Sequence, residues 1–287
     1  MRISKAVVPV AGWGTRMLPA AKALPKELLP ILDRPTIQYV VEEAASGGVD
    51  NLLLVTGRDK RAIEDHFDRN AELESRLRAS GKESLLASID ALMAKVKIHA
   101  TRQPDQRGLG DAVNQARRFV GDATFICLLG DTIFSGDVPP ALQLIQAAEK
   151  LGTSIIGLEE VPAEKVNRYG IVGGKFVGDG IIKIDTLVEK PNASAAPSRL
   201  AIAARYILTP AIFDCLDATP PGKGGEIQLT DAMKLLLTRE PIHGVVLKSK
   251  RHDIGNPVDW LKTNLLYASR DADLWKQIQP MLRSMLD

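Results

Sequence analysis

Cysteine is nearly missing: Cys127 and Cys215 are the only two in 287 residues, with no CxxC and no paired His/Cys spacing. This disfavours a disulfide scaffold and a structural zinc site, and two buried thiols in a reducing cytoplasm are expected. Long apolar runs are lacking too. The run from Ala6 to Ala11 is interrupted by Pro9 and is too short for a signal-peptide core. No stretch approaches the roughly 18 apolar residues of a membrane span. Nor is there an excess of one charge, since 37 Lys and Arg stand against 35 Asp and Glu, a net +2. No global field attracts nucleic acid or an anionic membrane, so any charge that binds phosphate has to be local. The four histidines, His66, His99, His243 and His252, show no ligand spacing. An unprocessed cytoplasmic protein without nucleic-acid or membrane partners is expected.

What is present is average for a globular chain, with 45% hydrophobic and 25% charged residues, enough for a sizeable core. The length predicts one large domain with an appendage. Apolar runs predict strands over Lys5 to Ala11, Asn51 to Thr56, Val96 to Thr101 and Thr124 to Leu129. Helical periodicity over Thr36 to Ser46, Asp59 to Phe67 and Leu109 to Val120 alternates with them. Such alternation implies a Rossmann-like α/β fold, a mostly parallel sheet with helices on both faces. Residues 69–95, rich in Glu, Arg, Ser and Leu, read as a helical insertion. After Thr153 the texture becomes mixed β: Ser154 to Glu160 and Ala201 to Leu208 are strand-like, and Gly178-Asp179-Gly180 is a hairpin turn signal. Leu229 to Leu237 reads as a helix and Val258 to Asp287 as a helical C-terminus. The expected division is a catalytic domain over 1–255 and a C-terminal helical segment over 256–287 for packing or dimerisation.

The first strand opens into Ala11-Gly12-Trp13-Gly14-Thr15-Arg16-Met17, where small residues let backbone amides approach an anion. A dinucleotide fingerprint needs a third glycine where Met17 stands, and the second strand ends at Thr56-Gly57 without an acidic residue for a ribose diol. A nicotinamide dehydrogenase is disfavoured, and the P-loop pattern GxxxxGK[ST] is absent. The loop then carries Lys22, Lys26 and Arg34 between prolines. It reads as a phosphate cradle with a cation-bearing lid, or as a plain tight turn with solvated lysines.

These residues, followed by Pro25-Lys26-Glu27, resemble the signature of the sugar-phosphate nucleotidylyltransferases. Further matches follow in order: Arg102-Gln103 with Gly108-Leu109-Gly110, Gly130-Asp131, Tyr169 to Val172, Val188-Glu189-Lys190-Pro191, Gly225 to Asp231, and His252-Asp253-Ile254-Gly255-Asn256. Residues 22 to 27, 37 to 41 and 226 to 232 are most similar to its bacterial uridylyl-transferring branch. The resemblance spans residues 6 to 256. Two departures stand out. Trp13 replaces a usually smaller or aliphatic residue, which could narrow the nucleotide mouth, and Ile254 and Pro257 alter the surroundings of Asp253.

The resemblance implies that a glucose 1-phosphate oxygen attacks the α-phosphorus of UTP, giving UDP-glucose and pyrophosphate with Mg²⁺. Two polyanions must meet in one cleft, so cations and positioning matter more than a covalent nucleophile. By resemblance, Ala11, Gly12, Gly14, Thr15 and Arg16 hold the nucleotide, Arg16 on the departing phosphates. Lys26 neutralises the α-phosphate. Gln103 and Gly108 hold the base, the amide both donating and accepting. Gly170, Glu189 and Lys190 bind the sugar phosphate, and Asp131 and Asp253 hold Mg²⁺. Arg16, Lys26, Asp131 and Lys190 form the catalytic set.

Bland alternatives stay open at single positions. Asp131 can also be read as a turn or N-cap aspartate, Gln103 as a solvated amide, Gly170 as a turn glycine and Glu226 as a helix cap. For the whole chain the rivals are a dTTP-using thymidylyltransferase and a non-catalytic nucleotide-sugar-binding relative. The cation set Arg16, Lys26 and Lys190, with Asp131 and Asp253, argues against the second, because a binder has no pyrophosphate to release. A homodimer or homotetramer is expected.

Overall fold

The computed structural model describes residues 2–285, so the last two residues of the expected C-terminal segment lie outside the described residues. The first half alternates strand and helix as expected. Strand β1 (Lys5–Pro9) is followed by a hairpin of β2 (Pro30–Ile31) and β3 (Arg34–Pro35), then α1 (Thr36–Ser46) and β4 (Asn51–Thr56). Next come α2 (Arg61–Phe67), α3 (Ala71–Ala79), α4 (Ala87–Met93) and β5 (Lys97–Arg102). Helices α3 and α4 occupy the predicted insertion. The expected helix over Leu109 to Val120 divides into α5 (Leu109–Asn114) and α6 (Arg117–Val120), and β6 (Phe125–Leu128) and β7 (Thr132–Ser135) follow.

The second half contains α7 (Pro140–Leu151), β8 (Ser154–Glu160), β9 (Gly170–Gly178), β10 (Ile181–Glu189), β11 (Leu200–Leu208) and α8 (Ala211–Ala218). It ends with α9 (Leu229–Leu237), β12 (Ile242–Val246), β13 (Lys250–Asp253), α10 (Pro257–Ala268) and α11 (Ala272–Ser284). The C-terminal helical stretch is therefore two helices, the second beginning at the Asp271 N-cap, whose side chain accepts from Leu274 N.

Among the described residues, nine strands form one sheet in the order β5-β4-β1-β6-β11-β8-β12-β10-β9. The mixed half is thus an extension of the parallel half. β1 pairs in parallel with both β4 and β6, and β11 enters antiparallel to β6. Alternate side chains of the central strands enter two cores. Val8, Leu52, Leu54, Ile126 and Leu128 pack under α1 and α7, whereas Val7, Leu53, Val55, Phe125 and Cys127 pack under α5, α8 and α9. Burial on both faces explains why these strands read as unbroken apolar runs. Helix α1 places Ile37, Val40, Val41 and Ala44 on one buried stripe and stops at Gly47.

This order sets the place of the site. The loops that leave the carboxyl ends of β5, β4, β1 and β6 carry Gln103, Gly57, Ala11-Gly12 and Asp131 along one edge. Ligands of open α/β sheets bind at that edge. A second ribbon, β7 antiparallel to β13, pairs Thr132 with Asp253 and so brings the late Asp253 beside Asp131. Helix α10 packs on the body: Trp260 Nε1 donates to Pro30 O at 3.0 Å, and Tyr267 Oη to Phe134 O at 3.2 Å.

Candidate active site

Two cavities adjoin at this edge. The larger, of about 510 Å³, is bordered by Ala11 to Arg16, Lys26, Gln103, Gly108 and Asp131. The smaller, of about 260 Å³, is bordered by Gly170, Glu189, Lys190, Thr230, Arg251 and Asp253. Arg16 and Asp131 border both. The residues expected to hold nucleotide, sugar phosphate and metal therefore fall on one or the other wall, and the two walls share a charged seam. Lys22 and Arg34 of the expected lid border neither cavity, Lys22 lining another and Arg34 pairing with Glu42.

The glycine-rich loop wraps the Lys26 side chain. Gly14 has φ +67°, and a Cβ there would meet the Lys26 stem at 3.2 to 3.3 Å, so both conformation and space require glycine. Lys26 Nζ donates to Asp131 Oδ2. Burial pulls the pKa of this ammonium down, but the carboxylates of Asp131 and Glu27 outweigh it and hold the Lys26 pKa above its ordinary value. Burial likewise opposes the Asp131 charge, and Lys26 together with Arg16 more than offsets it, so the Asp131 carboxyl is held below its usual range. The pair stays ionised at neutral pH.

No helix follows Asp131, which lies between β6 and β7, so it is a turn residue and not an N-cap. Its carbonyl accepts from Ile254 N at 2.9 Å. Asp253 Oδ1 accepts from Gly255 N at 2.8 Å, and its Oδ2 lies 3.9 Å from Arg16 Nη1. A Cβ on Gly255 would meet Arg16 Nη2 at 2.5 Å, so that glycine admits the guanidinium. Among the described residues no group of three or more His, Cys, Asp and Glu could hold a metal. A cation here would take oxygens from Asp131 and Asp253 and the rest from phosphate and water, a donor set that suits Mg²⁺.

Gln103 is not a solvated amide: it is 5% exposed. Its Nε2 donates to Gly108 O at 3.1 Å and to Asp111 Oδ2 at 2.7 Å. Both amide hydrogens are thereby committed, which corrects the expectation that this side chain both donates and accepts toward a base. Oε1 is what it can offer, an acceptor. Gly108 has φ +99°, and a Cβ would collide with Ile227 O at 2.8 Å. That glycine lets residues 107–110 lie against Glu226-Ile227, with Gly110 N donating to Ile227 O at 2.8 Å.

In the smaller cavity Gly170 opens β9 and faces Glu189 in register. A Cβ there would meet Ile202 Cδ1 at 2.8 Å and Glu189 Oε2 at 3.2 Å, so it is a close-approach glycine and not a turn. Lys190 N donates to Tyr169 O at 3.0 Å, and Lys190 Nζ lies 3.3 Å from Glu189 Oε1. Glu226 borders the larger cavity, and α9 begins after Gln228, so the helix-cap reading of Glu226 is corrected.

The nucleotidyl transferase family model matches residues 5–270. The chain belongs to the nucleotidyl transferase family. It is 45% identical over 284 residues to UTP–glucose-1-phosphate uridylyltransferase 2 of Staphylococcus saprophyticus, covering 99% of this chain and 98% of that one. Among solved structures, it resembles a UTP-bound UGPase from Acinetobacter baumannii at 37% identity and a TM-score of 0.90, over 98% of this chain and 99% of that one. A UDP-glucose pyrophosphorylase complexed with UDP-glucose matches at 38% identity and a TM-score of 0.87, over 94% and 100%.

In this nucleotidyl transferase several neighbours of the site escaped sequence reasoning. Glu27 and Lys60, 1% and 7% exposed, form a buried ion pair at 2.9 Å that ties the Lys26 segment to the start of α2. Burial pushes the Glu27 carboxyl up, opposed by Lys60 and Lys26. Gln106 Nε2 donates to Ala11 O at 2.7 Å and closes the loop from behind. Arg251 lies over the Tyr169 ring at 4.3 Å and pairs with Glu159. Lys60, Gln106 and Arg251 were not legible because their partners stand far away in the chain.

His252, beside Asp253, is buried and shares a 2.7 Å hydrogen bond with Ser135 Oγ across the ribbon. Burial pushes its pKa down to about 4. Between that value and the ordinary 6.5 the unfolded chain binds the extra proton, so stability present above pH 6.5 drains as pH falls toward 4. By pH 5 this amounts to about 2 kcal/mol. Urea unfolding at pH 7 and pH 5 should show that loss in the parent and a smaller one in His252→Gln. An equal loss in both would place the sensitivity elsewhere.

Proposed function

We infer that this chain transfers the uridylyl group of UTP to α-D-glucose 1-phosphate, giving UDP-glucose and pyrophosphate. The observation that carries this reading is the pair of adjoining cavities meeting at Arg16 and Asp131, with the largely enclosed Lys26 set against that seam. Named relatives of near-equal length support the choice of substrates. Residues 1–255 are read as the catalytic unit.

The larger cavity takes UTP. Ala11 and Gly12 present backbone to the base, and the Gln103 Oε1 accepts the N3–H of uracil. Gly14 and Thr15 border the phosphates, and Arg16 draws the departing pyrophosphate with a permanent forked charge. Lys26 neutralises the α-phosphate as charge builds there. In the smaller cavity Glu189 accepts from sugar hydroxyls, Gly170 admits them to the backbone, and Lys190 grips the sugar phosphate. Nucleotidyl transferases generally use a divalent metal; we propose Mg²⁺, held by Asp131 and Asp253. When bound, it neutralises phosphate oxygens and brings the two anionic substrates together.

Among the described residues no helix is long and apolar enough to cross a membrane. A cytoplasmic homodimer or homotetramer is our reading, supported by exposed Leu261, Leu265 and Met281 on α10 and α11.

Pyrophosphate release over a matrix of triphosphates and sugar phosphates tests the reading. UTP with glucose 1-phosphate should give the highest kcat/KM. CTP presents an acceptor at N3 and meets the Gln103 acceptor, so it should be poor, as should the larger ATP. The dTTP edge is the same as that of UTP, and discrimination by packing against its methyl should be about 10- to 200-fold. Gln103→Ala should erode the UTP to CTP ratio. An unchanged ratio removes Gln103 from base reading, and a matrix led by dTTP makes the chain a thymidylyltransferase.

A further inference from the structure

Arg205 takes no part in the chemistry above, yet its side chain is wholly withdrawn from solvent at 0% exposure. A guanidinium cannot shed its charge, so such burial persists only where its donors are paired. Glu43 on α1 meets it side-on, accepting from Nε at 2.9 Å and from Nη2 at 2.7 Å. The remaining bonds run to backbone carbonyls. Nη2 donates to Thr132 O at 2.8 Å, and Nη1 to Ala204 O at 2.9 Å and Leu129 O at 3.4 Å.

Leu129 and Thr132 are the two ends of the turn that carries Asp131, closed by Thr132 N donating to Leu129 O at 3.4 Å. One buried cation thus grips both ends of that turn from below. The backbone of β11 is shaped to the same purpose. Ala204 has φ +58°, a region L-residues avoid, where the register of β11 against β8 shifts between Ile202 and Tyr206. Its carbonyl there accepts from Leu129 N at 3.2 Å as well as from Arg205. Glu43 Oε1 also accepts from Ala141 N at 3.1 Å, so the grip is anchored to both α1 and α7.

We propose that Arg205, anchored by Glu43, is a positioning residue that fixes the Asp131 turn and thereby sets turnover and the divalent-metal requirement. The proposal rests on the role assigned to Asp131 above. Lys26 takes Asp131 Oδ2, while Oδ1 lies 3.5 Å from Thr132 Oγ1, so the oxygen left for a cation is placed by the same turn that Arg205 holds through Thr132 O. A misplacement of about 1 Å costs up to about 10²-fold in rate.

The test compares the double variant Arg205→Met/Glu43→Met, which leaves no lone buried charge, with Arg205→Lys, Glu43→Gln and Asp131→Asn. In the double variant kcat should fall about 10- to 100-fold, with KM for UTP and for glucose 1-phosphate nearly unchanged. Half-saturating Mg²⁺ should rise about tenfold, roughly what one weakened charged contact costs. Independently of activity, amide hydrogen exchange should quicken at Thr132 and Ile254 and stay slow in β1 and β4. Arg205→Lys should not rescue, because one ammonium cannot reach Glu43 and three carbonyls.

Folded variants with parental kcat, metal requirement and exchange overturn the proposal. So does exchange that quickens evenly through the sheet while activity follows the melting temperature. If the double variant does not fold, Glu43→Gln, which keeps the shape and removes the charge, decides by the same readouts. Asp131→Asn separates the two layers: parental turnover in that variant sinks the role of Asp131 itself. An inactive Asp131→Asn beside parental Arg205 variants sinks the positioning alone.

Discussion

Asp131→Asn should lower kcat by about 10²- to 10³-fold and leave the protein folded. The substitution changes side-chain volume little, and the turn keeps its backbone bonds, among them Ile254 N to Asp131 O at 2.9 Å. What disappears is charge. The carboxylate that both keeps Lys26 protonated and offers an oxygen to a cation becomes a neutral amide, so the burial that opposes the Lys26 charge is left with Glu27 as the main counterweight. Asp253→Asn should lose less, because an amide oxygen can still accept from Gly255 N and Asp253 stands 3.9 Å from the exposed Arg16. Turnover measured against Mg²⁺ concentration checks both. Normal turnover at sub-saturating metal would take that carboxylate out of the metal site, and turnover of the parent protein in excess chelator would overturn the mechanism.

Lys26→Ala should lower kcat by about 10²- to 10³-fold with a smaller change in KM for UTP. Its side chain is only 14% exposed, fixed by Asp131 and flanked by the glycine loop, so it acts on charge that grows in the transition state without reorganising. Lys190 contrasts with it. That side chain is 57% exposed and paired with its neighbour Glu189 at 3.3 Å. Lys190→Ala should mainly raise KM for glucose 1-phosphate, about tenfold or more for a lost charged hydrogen bond. Steady-state kinetics on both variants decides this, and identical defects confined to KM for UTP would contradict both roles.

Local signals were enough for the elements and for the kinds of group at the site. Thr36–Ser46, Asn51–Thr56, Ser154–Glu160 and Leu229–Leu237 have the bounds that periodicity and glycine punctuation predict. The glycine loop, Gln103, Asp131 and the Glu189-Lys190 step all lie at the site, because each follows a strand and a strand's carboxyl end is locally readable. Local signals do not mark α7, α8 or β12, nor the ribbon of β7 and β13. Lys250–Asp253 is a run of polar residues whose extended form comes from pairing with β7, 115 or more positions earlier.

The sequence by itself determined that this is an α/β chain with a glycine-rich loop, two separated carboxylates and a set of cations, since those are matters of residue type and short spacing. Only the tertiary structure decided which charge meets which. Lys26 with Asp131, Lys60 with Glu27, and Arg205 with Glu43 are separated by 105, 33 and 162 positions. A charge withdrawn from water must find a partner, but the order of strands in the sheet chooses it, and that order is set by packing over the whole chain.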